Sequence, residues 1–79
     1  MERVIQSIRL LPDHVLEVTA EKTENIIRLH MKPYLDKPRF QGLRTESAWK
    51  TGMTDGFMVR WPGIAELSFE EIAGRVFQY

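Results

Sequence analysis

The first third of the chain contains three short runs in which apolar and polar residues alternate, at residues 3–11, 15–23 and 26–31. An alternation of period two is typical of half-buried β-strands. The runs are separated by Pro12–His14, where proline and aspartate favour a turn, and by residues 23–25. Parallel strands would need long crossovers, so these short connections predict an antiparallel meander. The apolar residues that we expect on its buried face are Val4, Ile8, Leu10, Leu16, Val18, Ala20, Ile27, Leu29 and Met31.

The middle of the chain follows a different pattern. Residues 32–52 contain two prolines and two glycines and show no strict period. Each proline pushes the residue before it away from helical geometry. We therefore predict a loop with at most one helical turn in residues 34–43. A short helix should follow in residues 45–50, with Thr45 as its N-cap and Trp49 facing inward.

Period two returns in residues 55–61, which end in Trp61. Proline cannot donate a hydrogen bond to a neighbouring strand and glycine tolerates positive φ, so Pro62 and Gly63 predict a tight reversal. The chain should then return as a fifth short strand, Ala65–Ser68. At this corner we expect Trp61 to seal the core rather than to stack on a ligand.

The C-terminal residues 68–77 predict a helix. Ser68 and Glu71 have the spacing of a capping box, in which each side chain accepts a hydrogen bond from the other residue's backbone N–H. Glu70 and Glu71 could also be catalytic carboxylates, but a cap at the positive end of the helix dipole explains them more simply. The stripe that should face the sheet consists of Phe69, Ile72 and Val76.

Together these patterns predict one α+β domain over residues 1–79. Its parts are a small antiparallel sheet of about five strands, one short middle helix and a C-terminal helix packed on the sheet. The chain has no cysteine, which excludes disulfides, thiolate metal sites and a cysteine nucleophile. It has no apolar run near the roughly 20 residues that a membrane helix needs, and no signal peptide at its start. We therefore expect a cytoplasmic protein without a membrane segment.

The net charge is zero, but the charges are unevenly distributed. Residues 28–50, the basic segment, contain six basic and two acidic side chains and lie between two flanks that each carry a net charge of −2. Basic side chains interleaved with aromatic ones can bind an acidic protein surface or a single-stranded nucleic acid. The alternative is that the aromatic rings pack under a long loop while the charges are merely solvated. The candidate contact residues are Lys37, Arg39, Phe40, Arg44 and Lys50.

No residue pattern specifies a catalytic, cofactor or metal site. His14 follows Asp13 in a turn, where adjacent side chains rarely point together. His30 would need a second metal ligand, which Glu17 or Glu21 on a neighbouring strand could supply. The serines lack a nucleophile elbow, and the glycines are scattered rather than grouped in a phosphate loop. We therefore predict a non-enzymatic protein that needs no cofactor, with a small metal-dependent hydrolase as the alternative.

Several short motifs follow one another along the chain. In order, they are "LLPDHVLEV" at residues 10–18, Pro33-Tyr34-Leu35, Phe40, Leu43, Trp61-Pro62 and Glu66-Leu67. Their order and spacing resemble the bacterial domain-of-unknown-function family numbered 2442. The resemblance covers nearly the whole chain and departs from the family pattern at His30, at Gly63-Ile64 and at Glu66, where the family usually has Asp, Asn-Gly and Asp.

The resemblance implies an α+β fold with no established activity. It also implies a protein partner, because members of this family are often encoded beside a second small family, numbered 4160, in what looks like a toxin–antitoxin arrangement. We therefore expect an interaction module, antitoxin-like in a two-protein system. A weak nucleic-acid-binding module is a further alternative, which the neutral net charge disfavours. An open sheet edge leaves room for a homodimer.

Overall fold

The computed structural model describes residues 3–75. Its regular elements are six strands and one short α-helix, joined by 3₁₀ turns and followed by an irregular C-terminal helical segment. In chain order they are β1 (Ile5–Leu11), β2 (Val15–Ala20), β3 (Ile26–His30), α1 (Glu46–Trp49), β4 (Met53–Thr54), β5 (Met58–Trp61), β6 (Ala65–Ser68) and the C-terminal helical segment Glu71–Arg75.

Strands β1, β2 and β3 form the predicted antiparallel meander. Leu16 lies opposite Leu10 in β1 and Leu29 in β3, so the alternating apolar residues share one face of this first sheet. The turn Pro12–His14 joins β1 to β2 as a 3₁₀ turn in which Asp13 has a φ of 63°. An aspartate tolerates this left-handed conformation better than most residues do, which suits its place at the tip of the hairpin.

The start of β1 differs from the prediction. Ile5 pairs with Ala20 and Ser7 with Thr19, so Gln6 is an extra residue that bulges out of the ladder. A bulge shifts the alternation by one residue, so the residue that faces the core before it is Ile5 and not Val4. Ile5 is fully buried, whereas Val4 is exposed.

Strands β4, β5 and β6 form a second antiparallel sheet. The reversal between β5 and β6 is the predicted one: the N–H of Ile64 donates to the carbonyl oxygen of Trp61 over 2.8 Å, and Gly63 has a φ of 75°. Proline followed by a residue with positive φ is the arrangement of a type II turn. The two-residue strand β4 was not predicted, because it is too short to show an alternation.

The strands are thus divided between two three-stranded sheets, so a single sheet of about five strands is not confirmed, while the α+β class is. The two sheets meet where the N–H groups of Val4 and Ile5 donate to the carbonyl oxygen of Gly56. They share one core, which also contains residues of the loop and of the C-terminal helical segment. Its buried members are Ile5, Leu16, Val18, Met31, Leu35, Phe40, Leu43, Trp49, Val59, Trp61, Leu67 and Ile72.

Two tryptophans fix the short helix α1 to this core. The rings of Trp49 and Trp61 stack with their centroids 5.4 Å apart. The Nε1–H of Trp61 donates to the carbonyl oxygen of Trp49, and the Nε1–H of Trp49 donates to that of Leu11. Thr45 caps α1 by accepting from the N–H of Ala48, as predicted. Both indole N–H groups are satisfied, so Trp61 seals the core as expected.

The C-terminal helical segment is less regular than predicted. The capping box is present, since the Ser68 N–H donates to Oε1 of Glu71 and the Glu71 N–H donates to Oγ of Ser68. Beyond it the segment Glu71–Arg75 is wound as a π-helix, and Gly74 has a φ of 120°, outside helical geometry. The predicted helix is therefore present over residues 69–75 but is not regular, and residues 76 and 77 of the prediction lie outside the described residues.

Candidate interaction surface

The predicted contact residues of the basic segment have different environments. Phe40 is only 1% exposed and belongs to the core, so its ring cannot contact a partner. Arg39, Arg44 and Lys50 each form ion pairs within the chain. Lys37 is exposed, and no ion pair of its side chain lies within residues 3–75. The structure therefore brings Arg44 and Lys50 to one groove, but it places Phe40 in the core and Arg39 on Glu71.

Arg39 ties the loop to the end of the fold. Its Nη1 lies 2.7 Å from Oε2 of Glu71 and its Nη2 lies 2.7 Å from Oε1, so the guanidinium grips the carboxylate with both nitrogens. The same Nη2 donates to the carbonyl oxygen of Glu66 in β6 over 3.0 Å. The guanidinium also lies 5.0 Å from the centroid of the Phe40 ring, within cation–π distance. Arg39 is thus a structural clamp.

The clamp changes the acidity of Glu71. The hydrogen bond from the Arg39 guanidinium lowers the pKa of Glu71 below its ordinary value of 4.5, and the Ser68 N–H adds to this effect, while partial burial opposes it. Both carboxylate oxygens of Glu71 are therefore held by the cap and the clamp, which leaves a structural role in place of the catalytic one.

Arg44 holds the loop together. Its Nε donates to the carbonyl oxygen of Leu35 over 3.2 Å, and its Nη2 lies 2.7 Å from Oδ1 of Asp36. The Asp36 side chain is almost fully exposed and that of Arg44 is half exposed. An ion pair this open contributes little, so part of the guanidinium charge remains available to an anion from outside.

An open groove of about 500 Å³ lies between the β1–β2 turn and helix α1, and we name it the hairpin groove. Its rim carries the cations Lys32, Arg44 and Lys50 and the acids Asp13 and Glu46. The charged rim thus combines residues far apart in sequence, from the hairpin tip, the end of β3 and α1. The remaining lining residues are Leu10, Leu11, Pro12, His14 and Trp49.

His14 forms part of the wall of the hairpin groove. Its Nε2 lies 2.7 Å from the carbonyl oxygen of Leu43, and because a carbonyl can only accept, Nε2 carries the proton. Its ring lies 5.0 Å from that of Trp49, tilted by 49°. His14 also has a φ of 57°, a conformation uncommon outside glycine. His14 is therefore half-buried and hydrogen-bonded, and not simply an exposed residue of the turn.

Sequence reasoning missed Lys32 and the role of His14 in this groove. Lys32 was counted within the basic segment, but its position directly after β3 brings it beside the hairpin tip, with its Nζ 3.7 Å from Oδ1 of Asp13. The backbone bond from Met31 to His14 holds these two turns together. The antiparallel pairing of β2 and β3 was the signal available, since it brings residues 14 and 31 into register.

The strand register separates the residues that were candidates for binding a metal ion. His30 lies opposite Val15 at one end of β2, whereas Glu21 follows the other end. Glu17 is nearly buried between Arg9 and Arg28, and its carboxylate accepts from both guanidinium groups. Within residues 3–75, no group of three or more His, Cys, Asp or Glu side chains is close enough to hold a metal ion.

The aromatic rings of the basic segment do not form a stacking surface. Phe40 and Trp49 are at most 2% exposed, and Tyr34 is partly buried against the core. Base stacking needs an accessible ring face.

In the part of the chain that the structure describes, no helix is long and apolar enough to cross a bilayer.

Comparisons of the chain with family models, with curated proteins and with solved structures found no match. The resemblance to the family numbered 2442 therefore stays a prediction.

Proposed function

We propose that this protein is a non-enzymatic interaction module whose hairpin groove receives an acidic segment of a partner protein. The observation that carries the proposal is the set of three cations of the basic segment, Lys32, Arg44 and Lys50, which line one groove.

The ion pairs on the rim are the kind that a partner can replace. Lys32 and Lys50 are about two-thirds exposed, and their Nζ atoms lie 3.7 Å from Oδ1 of Asp13 and 3.5 Å from Oε1 of Glu46. Exposed pairs of this kind contribute about 0–1 kcal/mol. A partner carboxylate that is desolvated against the groove can therefore compete with the internal acids at low cost.

The wall of the groove favours a peptide over a bare ion. The half-buried His14 ring and the apolar residues at the end of β1, Leu10 and Leu11, line the space beneath the charged rim. A segment that alternates acidic and apolar side chains would place its acids at the charged rim and its apolar side chains against the wall of the groove. In keeping with the toxin–antitoxin arrangement expected above, the proposed partner is a small protein of the family numbered 4160, which this chain would neutralise by binding.

The test is binding of a fluorescent Glu/Leu peptide, measured by anisotropy, to the wild-type chain and to the double variant Lys32→Glu/Lys50→Glu. Loss of both cations and their replacement by acids should weaken binding by at least about tenfold, equivalent to about 1.4 kcal/mol. The matched control is Lys22→Glu, a charge reversal in the turn at the other end of β2, which should change affinity less than about twofold.

A second arm uses the expected partner itself. A co-expressed protein of the family numbered 4160 should co-purify with the wild-type chain and with the Lys22→Glu variant but not with the double variant. Circular dichroism and thermal melting of each variant check that the fold is kept. Equal binding by the double variant and the wild type would refute the groove as the partner site.

A further inference from the structure

A second feature, independent of the proposed function, concerns the edges of the two sheets. Each sheet has two edge strands, and three of the four edges are protected. The start of β1 is bonded to Gly56 and is followed by the Gln6 bulge, while the rest of the strand is contacted by β4 and its Leu11 carbonyl accepts from Trp49 Nε1–H. Strand β4 has only two residues, and Arg39 donates to the Glu66 carbonyl on the edge of β6. Such devices prevent edge-to-edge pairing.

Strand β3 has none of these devices within residues 3–75, although the C-terminal helical segment contacts it and packs Ile72 into the core. The strand runs for five residues with a continuous register and contains no proline or lysine. The Met31 N–H donates to the His14 carbonyl and the Ala20 N–H donates to the Asn25 carbonyl. These two bonds identify Ile27 and Leu29 as the residues of β3 whose backbone groups bond to β2. Hydrogen-bonded pairs alternate along an antiparallel ladder. The N–H and C=O groups of the outward-directed residues, Ile26, Arg28 and His30, therefore face away from β2.

These outward groups have no backbone partner within residues 3–75. The side chain of Ile26 on this edge also suits an interface. It is 55% exposed, one of the highest values for an apolar side chain within residues 3–75. An uninterrupted edge next to an exposed isoleucine can pair with another strand. We propose that β3 pairs antiparallel with β3 of a second copy, so that the two first sheets become one continuous six-stranded sheet.

The sequence of β3 selects the register of this pairing. A two-fold axis at Arg28 places Ile26 opposite His30 of the second copy, and it uses all three outward residues for hydrogen bonding. An axis at Ile27 or at Leu29 leaves one outward residue without a strand partner. With the axis at Arg28, each Ile27 lies opposite Leu29 on the inner face, so two apolar pairs form.

The Arg28-centred register has one unfavourable feature, the juxtaposition of two arginines. Each Arg28 is held by its own Glu17, with Nε 2.9 Å from Oε2, so the row across the dimer reads Glu17, Arg28, Arg28, Glu17. Like charges directly opposite each other destabilise a sheet, but each of the two additional backbone hydrogen bonds offsets an effect of that size. The hydrogen bonds and the apolar pairs therefore decide the register.

Sedimentation equilibrium over a concentration series tests the pairing. The mass should rise from that of the 9.3 kDa chain towards twice that value as concentration increases. Ile26→Lys places a charge on the exposed edge and should abolish the rise. Met53→Lys makes the same change at an equally exposed residue of β4 and should leave the rise intact. A wild-type chain that stays monomeric, or one that Ile26→Lys leaves dimeric, would overturn the proposal.

The absence of cysteine allows the register to be tested directly. Under mild oxidation, Arg28→Cys should form a disulfide-linked dimer, because directly opposed residues have Cα atoms about 5.5 Å apart, within disulfide range. Ile27→Cys should not link, since residue 27 faces residue 29 of the second copy. Efficient linking of Ile27→Cys without linking of Arg28→Cys would reject the register. None of these measurements uses the acidic peptide, so this proposal and the proposed function fail independently.

Discussion

The clamp between Arg39 and Glu71 offers the sharpest test of how the basic segment is used. The interaction joins residues 32 positions apart and connects the long loop to the capping box. The side chains of Arg39 and Glu71 are 42% and 29% exposed, so the pair is neither buried nor fully solvated. Charged hydrogen bonds contribute about 1.5–3 kcal/mol when shielded, and exposed pairs about 0.2–1 kcal/mol. We expect a coupling energy of about 1 kcal/mol between the two residues.

A double-mutant cycle with Arg39→Ala and Glu71→Gln measures this coupling. Glutamine can still accept from the Ser68 N–H, so the variant removes the charge without removing the capping box. Arg39→Ala alone should cost about 1–2 kcal/mol, because it also removes the bond to Glu66 and the contact with Phe40. In a domain of this size, that loss lowers Tm by roughly 4–16 °C. Urea unfolding followed by circular dichroism gives the free energies.

The matched control is the cycle for Arg44 and Asp36. Its ion pair has the same 2.7 Å separation but is more exposed, at 55% and 92%, so its coupling should stay below about 0.5 kcal/mol. A coupling between Arg39 and Glu71 no larger than that of the control would refute the clamp. The prediction that Arg39 contacts a partner would then regain support.

The pH dependence gives the clamp a second signature. Because the pKa of Glu71 is lowered in the folded state, the unfolded chain takes up the proton first as pH falls. The stabilisation is therefore fully present above the ordinary value of 4.5 and is lost as pH falls from there through the lowered pKa. In Arg39→Ala this loss should be smaller. Urea titrations at neutral and acidic pH, compared between wild type and variant, measure the difference.

Three further predictions concern the scaffold. Ser68→Ala should cost about 1 kcal/mol in urea unfolding, because it removes one half of the capping box. Gly52→Ala should cost about 1–3 kcal/mol and shift the near-ultraviolet circular dichroism of the indoles, since an added Cβ would lie 2.7 Å from Nε1 of Trp61; unchanged spectra and stability would contradict this contact. Phe40→Ala should cost about 3–5 kcal/mol while Lys37→Ala changes stability by less than about 0.5 kcal/mol, and similar values for the two would contradict the core position of Phe40.

The strand pattern was largely predictable because it depends on local alternation. The meander, the Pro62–Gly63 reversal and the capping box of Ser68 all follow from residues that are adjacent or a few positions apart. The bulge at Gln6 was not predictable, because an alternating sequence gives no sign of an extra residue in the ladder. Nor does the sequence show how strands are divided between sheets, since that depends on packing around a shared core.

The groove was harder to predict than the strands, since it depends on contacts between distant residues. The composition of the basic segment indicated a cationic surface, but not that Arg39 would grip a carboxylate 32 residues away. Lys32 and Asp13 approach each other only after β2 and β3 have paired. A charge count therefore identified the segment but could not separate the cations that stabilise the fold from those that remain at the surface.

The division between cations that stabilise the fold and cations that remain at the surface follows a chemical difference between arginine and lysine. Arg28, Arg39 and Arg44 each hold a carboxylate of the fold, and the last two also hold a backbone carbonyl. A planar guanidinium offers several donors in a fixed geometry, whereas an ammonium is a flexible point charge that stays hydrated. Of the lysines in the same segment, Lys32 and Lys50 lie 3.7 and 3.5 Å from their carboxylates, too far for a close hydrogen bond, and Lys37 is exposed. The arginines therefore complete the scaffold, and the lysines provide most of the charge that a partner can reach. For this reason the lysine variants test binding and the arginine variants test stability.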